Sequence, residues 1–386
     1  MKKIVILQDN ISSEGGYKAG YLLNKLLNNK NITSQIITLD KNFNFLQKVF
    51  FSTYRLINYI LTKLFFDSNI TSTFPQIFNF NKIVNKIDAE TIIISYANRI
   101  INFRKLKDIK NKKIILFIHD QWLLNGFRDF NLKKKKKNDL KKKIRDFFEK
   151  NYVKSNIKSL SHNKDVKIFA STKWLSQELK KNFIIKKKID YLHNFVDYNF
   201  WKKNDNIDYK KKLNLKNESF NILFVAKYGL ENFRKGGDLI LKINEIAKEN
   251  KNINFILLGQ YKKLNYKNIY NFSTRNQIKV RDIFCSCDIN LTLSRSDNMP
   301  YSILETMSCG LPNISMNVGG ISEIIDHKKN GWLLNDNNIE DILKAINWIK
   351  DKRNYKKLSN NSRVKIVKKF SFDNAYRELN NKNFIR

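Results

Sequence analysis

Two carboxylates, Asp297 and Glu305, stand eight residues apart in the stretch 294–323, SRSDNMPYSILETMSCGLPNISMNVGGISE. Asn298 has the side chain of a helix N-cap, and Pro300 sits where a first helical residue tolerates a missing N–H. Ile303, Leu304, Met307 and Ser308 recur at helical spacing, and Gly310 falls where a left-handed residue closes a helix. The spacing therefore predicts strand end, loop, short helix, strand and glycine turn, with the acids bracketing the helix N-terminus. The first amides of a helix are a seat for phosphate. Amides for a diphosphate and carboxylates for hydroxyls describe a pocket for a nucleotide-sugar.

The same stretch resembles the donor-site signature of family-4 retaining glycosyltransferases. In that family two acids separated by seven residues precede Glu-Ala-Met-Ala-Cys-Gly, a later Gly-Gly and a Glu. Here Asp297 and Glu305 are followed by Thr306, Met307, Ser308, Cys309, Gly310, then Gly319, Gly320 and Glu323. Most members carry Glu where this chain has Asp297; a polysaccharide-synthesis branch has Asp-Asn-Leu-Pro, close to Asp297-Asn298-Met299-Pro300. The resemblance implies an α/β protein of GT-B fold, two Rossmann-like doubly wound parallel-sheet domains facing across a cleft. It implies Glu305 on the ribose hydroxyls, Asp297 on the transferred sugar, and the segment Asn298, Met299, Pro300, Tyr301, Ser302 at the diphosphate. Lys235-Gly236 matches the family's Lys-Gly at a helix start, and Lys227 stands where Arg is usual, a point charge in place of a bidentate fork.

Earlier in the chain, residues 3–8 read as a buried strand, followed by Gly15-Gly16 and a helix face over 17–27. A glycine loop between strand and helix suits an anion, although Gly15, Gly16 and Gly20 are not a dinucleotide fingerprint. A tight turn needing glycine explains the pair equally; the resemblance places it against the donor phosphate. Residues 113–118 read as a strand ending at His119-Asp120-Gln121-Trp122. Ligands of open α/β sheets bind at strand carboxyl ends. His-Asp-x-Trp also resembles the polysaccharide branch, which implies His119 near the reacting carbon and Asp120 on the acceptor side. The plain reading of His119 is an interior histidine.

The remaining elements follow from periodicity. Strands are expected at 32–39, 91–96, 166–170, 189–192, 220–226, 254–259 and 288–293, with 330–334 closing the second sheet. Helices are expected at 238–248, 277–285, 339–349, 354–370 and 372–379. Residues 43–66, rich in aromatic and aliphatic side chains, read either as a core helix or as an amphipathic helix lying in a membrane interface; Lys48, Arg55 and Lys63 exclude a spanning helix. The expected division is an acceptor-side domain at 1–200, a linker near 199–218, a donor domain at 201–370, and a C-terminal helix at 371–386 returning to the first domain.

The balance of 73 Lys+Arg against 35 Asp+Glu gives a net charge of +38 over 386 residues. Such a field attracts anions. A Lys/Asn/Ile-rich, Gly- and Pro-poor composition accounts for part of it. The lysine run 133–137 and the cations 141–158 are either solvated or a basic patch for anionic lipid. Three cysteines and four histidines offer no disulfide framework or zinc set, and the amino end has too short an apolar run for a signal peptide. The resemblance implies a retaining, metal-independent glycosyltransferase without a cofactor. It would be cytoplasmic and peripheral on the inner face of the membrane, extending a glycan or lipid-linked acceptor in surface polysaccharide or lipopolysaccharide synthesis. Nucleic acid is not expected as a partner. The rivals are a basic nucleic-acid- or membrane-binding protein without transferase activity, and a GT-B epimerase or phosphorylase.

Overall fold

A computed structural model describes residues 3–9, 15–38, 41, 43–65, 78–97, 101–126, 140–163, 165–182, 188–216, 218–247, 252–259, 264 and 266–385. The expected lysine run at 133–137 and most of the loop at 9–14 lie outside them. The chain divides into two units, Met1–Asn194 with Tyr376–Arg386, and Phe195–Ala375.

The first unit carries a six-stranded parallel sheet: β1 (Ile4–Leu7), β2 (Ser34–Ile37), β3 (Thr91–Ser95), β4 (Lys113–Ile118), β5 (Val166–Ala170) and β6 (Ile189–Tyr191), in the order β2-β1-β3-β4-β5-β6. β1 and β3 are buried throughout, because helices cover both faces of a parallel sheet and such strands read as continuous apolar runs. The helix Lys18–Asn29 lays Leu22, Leu23, Leu26 and Leu27 inward. At the far end of the chain, Phe384 packs against Phe169 at 4.5 Å and Phe117 at 5.7 Å, while Lys382 donates to the Tyr191 carbonyl.

The second unit repeats the plan with β7 (Phe220–Val225), β8 (Ile253–Leu258), β9 (Ile269–Phe272), β10 (Ile289–Thr292), β11 (Asn313–Met316) and β12 (Gly331–Leu334), ordered β12-β11-β10-β7-β8-β9. Alternate residues of β7 feed two cores: Leu223 packs on one face with Leu304 and Met307, while Ile222 and Phe224 join Ile240 and Leu257 on the other. The chain order reverses between β1 and β3 in the first sheet and between β7 and β10 in the second. Crevices at such reversals, outside the strand carboxyl ends, are where doubly wound sheets hold ligands.

The linker expected near 199–218 is not a free connector. Trp201, Tyr209 and Leu215 are buried in the second unit's core, and Asp208 caps a short helix, Tyr209–Lys212. Lysines in the stretch stay near solvent while the widely spaced apolar residues turn inward, so its average polarity misleads.

Candidate active site

At the second reversal, two loops are tied together by side chains from both. After β7 the chain makes two 3-10 turns, Gly229–Glu231 and Phe233–Lys235, before the helix Gly237–Ala247. The Asn232 side chain accepts from the Lys235 amide at 3.1 Å and donates to the Lys227 carbonyl at 2.9 Å. Gly236 follows at φ +78, and a Cβ there would collide with the Leu293 carbonyl at the end of β10, so only glycine lets the loops meet. Arg295 closes the stitch: its guanidinium forks onto Asp238 at 2.6 and 2.7 Å and lies 3.8 Å over the Phe233 ring.

This arrangement brings Lys235 to Asp297. Lys235 Nζ donates to Asp297 Oδ2 at 2.5 Å, Ser294 Oγ donates to it at 3.1 Å, and Arg234 Nη1 approaches at 3.4 Å. The Asn298 amide donates to Oδ1 at 3.1 Å. Burial alone would raise the Asp297 carboxyl, but Lys235 and Arg234 overcome that and hold it below its ordinary value. Burial draws the Lys235 ammonium down, against the opposing pull of Asp297. Since two cations face one carboxylate, the ionised pair is the state that stands.

The helix after it runs Tyr301–Ser308 and buries Glu305. Its N-cap is Pro300, extended at ψ 129 and without a side-chain cap bond, rather than Asn298 as expected. Asn298 is committed elsewhere: its carbonyl accepts from the Gly320 amide at 3.0 Å, and Gly319, at φ +59, leaves no room for a Cβ against the Asp297 carbonyl. The Gly-Gly turn thus holds the acidic loop from behind. The helix end behaves as expected, with Gly310 at φ +84, its amide on the Met307 carbonyl and the Leu311 amide on that of Thr306. Tyr301, one turn before Glu305, is half-buried with its hydroxyl enclosed, and that enclosure followed by the Glu305 charge raises its phenol well above the ordinary value. Met299 packs into the core, so any part it takes in binding falls to its backbone. Lys227 is exposed, its ammonium 5.1 Å from the Tyr228 ring centroid.

In the first unit, the end of β3 gathers the expected residues. Gly15 takes φ +55 with open space where a Cβ would point, whereas a Cβ on Gly16 would meet the Tyr96 ring at 2.6 Å. Gly16 is therefore required by Tyr96, and Gly15 by its turn. His119 Nε2 lies 3.0 Å from Ser95 Oγ, and its ring stands edge-on to Phe117 at 4.3 Å. Burial pulls the imidazole well below its ordinary pKa, so it is neutral at pH 7. Asp120 is buried and its carboxylate accepts from the Trp122 amide at 3.1 Å, a role in shaping the turn.

Residues 205–365 match the family model described as glycosyl transferases group 1. The matched stretch lies inside the second unit, Phe195–Ala375. All of Lys227, Lys235, Asp297 and Glu305 fall inside it. Among curated relatives, the chain is 27% identical to the N-acetyl-alpha-D-glucosaminyl L-malate synthase of Bacillus anthracis over 48% of this chain and 50% of that protein. It is also 27% identical to the UDP-Gal:alpha-D-GlcNAc-diphosphoundecaprenol alpha-1,3-galactosyltransferase of Escherichia coli over 50% of this chain and 53% of that one. The chain thus spans about half the length of the curated relatives it matches.

Among solved structures, Anabaena Alr3699/HepE in complex with UDP and glucose aligns over 100% of both chains at TM-score 0.67 and 13% identity. WaaG, a glycosyltransferase involved in lipopolysaccharide biosynthesis, aligns over 97% of this chain and 98% of that one at TM-score 0.64 and 13% identity. The fold is GT-B. Within the matched stretch, Arg234 and Ser294 were not singled out from the sequence, yet both reach Asp297. The adjacency of Arg234 to Lys235 was the one available signal.

Proposed function

We propose that the protein is a retaining, metal-independent glycosyltransferase. It would move a sugar from a nucleoside-diphosphate donor to a hydroxyl of a glycan or lipid-linked acceptor in surface polysaccharide or lipopolysaccharide synthesis. The observation that carries this reading is the Lys235–Asp297 contact at the sheet reversal, beside the helix that buries Glu305. Leaving-group departure builds negative charge on the diphosphate, and fixed cations and amides favour that state over the ground state. Lys235, Lys227 and the backbone of 298–302 would take the diphosphate, Glu305 the ribose hydroxyls, and Asp297 the hydroxyls of the transferred sugar. In the first unit taken by itself, His119, neutral beside Ser95, would offer a hydrogen bond to a sugar, with Asp120 shaping the turn behind it and the Gly15-Gly16 backbone open to an anion.

A thermal-shift panel of UDP-, GDP- and ADP-sugars tests the donor class. One nucleotide should raise the melting temperature, and Lys235→Ala should remove that shift. Free nucleoside diphosphate should then appear only when a hydroxyl acceptor is added, with the anomeric configuration kept in the product. Equal donor binding by the Lys235→Ala protein overturns the site. Donor turnover without an acceptor favours an epimerase or phosphorylase.

A further inference from the structure

The helix Phe45–Phe65 takes no part in the site just described, yet its surface is unlike the rest of the molecule. Of the eighteen large apolar side chains exposed among the described residues, nine lie on it. Its inner face is narrow: Tyr54 is buried, and Phe51 packs on Phe43 at 5.4 Å and lies 6.1 Å from Phe80. At roughly 100° per residue, Leu46, Val49, Phe50, Ile57, Ile60 and Leu64 share one outward arc. Lys48, Arg55 and Lys63 project from the other side of the outward surface, and the helix contains no Asp or Glu. The neighbouring helix Leu140–His162, which it touches, exposes Phe147 and Phe148 as well.

Monomeric soluble proteins rarely leave contiguous apolar patches of more than a few hundred Å² uncovered, and those that do are using them. Three occupants can cover such a face. A second copy would bring two cation-edged helices together in a chain of net charge +38, which like-charge repulsion opposes. A soluble protein partner would have to match both a wide, flat aliphatic arc and a cationic strip. An anionic lipid surface offers both: acyl chains for the arc and headgroup phosphates for Lys48, Arg55 and Lys63. No described helix is long and apolar enough to cross a membrane, which leaves this one to lie along the surface.

We infer that the helix Phe45–Phe65 is an interfacial anchor that docks the first unit on an anionic bilayer, its arc in the acyl boundary and its cations at the headgroups. This does not rest on the donor-site reading, since vesicle binding is measured without a sugar nucleotide. The test is flotation of the full chain with phosphatidylcholine vesicles and with mixed phosphatidylcholine–phosphatidylglycerol vesicles. The wild-type chain should float with the mixed vesicles and much less with the neutral ones. Leu46→Gln, Ile57→Gln and Ile60→Gln combined should abolish flotation, and because all three are exposed, the melting temperature should hold. Lys48→Glu, Arg55→Glu and Lys63→Glu combined should weaken binding by at least about 100-fold. Lys344→Glu, Lys352→Glu and Lys368→Glu, exposed in the second unit and matched in net charge, should weaken it far less. Flotation of the glutamine variant at the wild-type level overturns the anchor. So does a wild-type chain that binds no vesicle but sediments as a dimer, or that is captured by a soluble protein through this helix. Equal losses in the two charge variants overturn the local role of the cationic strip.

Discussion

Lys235 Nζ and Asp297 Oδ2 are 2.5 Å apart although their residues are separated by 62 positions, and the sheet reversal between β7 and β10 is what brings them together. Arg234 approaches the same oxygen, so the carboxylate is over-supplied with positive charge. Under the proposed function the site takes two phosphates and needs cations in excess of its own acids, and this loop pair has that excess.

Removing one member should reveal it. Asp297→Ala leaves Lys235 and Arg234 close together without their shared anion, and breaking a buried pair in this way costs about 3–5 kcal/mol. Lys235→Ala should cost less, since Arg234 and Ser294 still serve the carboxylate. Urea denaturation should therefore rank Asp297→Ala below Lys235→Ala in stability, while both lose the donor-induced thermal shift.

The same carboxylate predicts an acid limb. Its folded pKa lies below the ordinary 3.8, so near and below that value the unfolded chain binds the additional proton. Its contribution to stability is complete above about pH 4 and disappears as pH falls through the folded value. Asp297→Asn should flatten this part of the stability profile, measured as the difference between variant and wild-type urea midpoints from pH 5 downward.

His119 should behave as a second, distinct titration. Its folded pKa is depressed by burial, so between the ordinary 6.5 and the folded value the unfolded chain binds more protons and stability falls on acidification. At pH 5 the loss should reach up to about 2 kcal/mol relative to pH 7. His119→Gln should remove that slope while keeping a side chain able to bond Ser95. A wild-type imidazole that titrates near 6.5 by NMR contradicts the prediction.

How much of this was visible beforehand depends on whether the cause was local. β1, β3 and β7 were legible because strands buried on both faces read as near-continuous apolar runs. Asp297 and Glu305 were legible from order and spacing, and Gly310 from helix-closing chemistry. β9 was not expected, since Ile269–Phe272 is a half-buried edge strand with polar residues in it. The N-cap was misplaced because Asn298 has capping chemistry but its peptide is held by Gly320. Arg234 was passed over because what gives it a role is a tertiary contact, which no spacing rule carries.

Gly319 and Gly236 are where backbone room decides the site. Each has positive φ, and each faces a carbonyl, that of Asp297 and of Leu293 respectively. Alanine at either position must displace the loop it touches in addition to bearing a left-handed strain of about 1–3 kcal/mol. Gly319→Ala and Gly236→Ala should lower the melting temperature and abolish the donor shift together. Gly15→Ala, strained in the same way but facing open space, should lower the melting temperature only modestly.

Arg363 tests whether the helix Tyr301–Ser308 must be anchored at its far end. Its guanidinium donates to the carbonyls of Trp201 at 3.1 Å and Tyr198 at 3.3 Å and to that of Ser308, the last helical residue. A cation at a helix C-terminus satisfies carbonyls the helix leaves over and complements its dipole. The Ser308 hydroxyl bonds the Trp201 carbonyl at 2.7 Å, so the segment once read as linker and the helix share one polar junction. Arg363→Met keeps much of the stem and removes the donors; the Trp201 carbonyl keeps the Ser308 hydroxyl, but the buried Ser308 carbonyl loses its guanidinium partner at about 1–3 kcal/mol. The melting temperature should fall, and donor affinity should fall with it even though Arg363 lies at the opposite end of the helix from Pro300. A loss of stability with unchanged donor affinity at low temperature means that the Glu305 helix holds its position without this clamp.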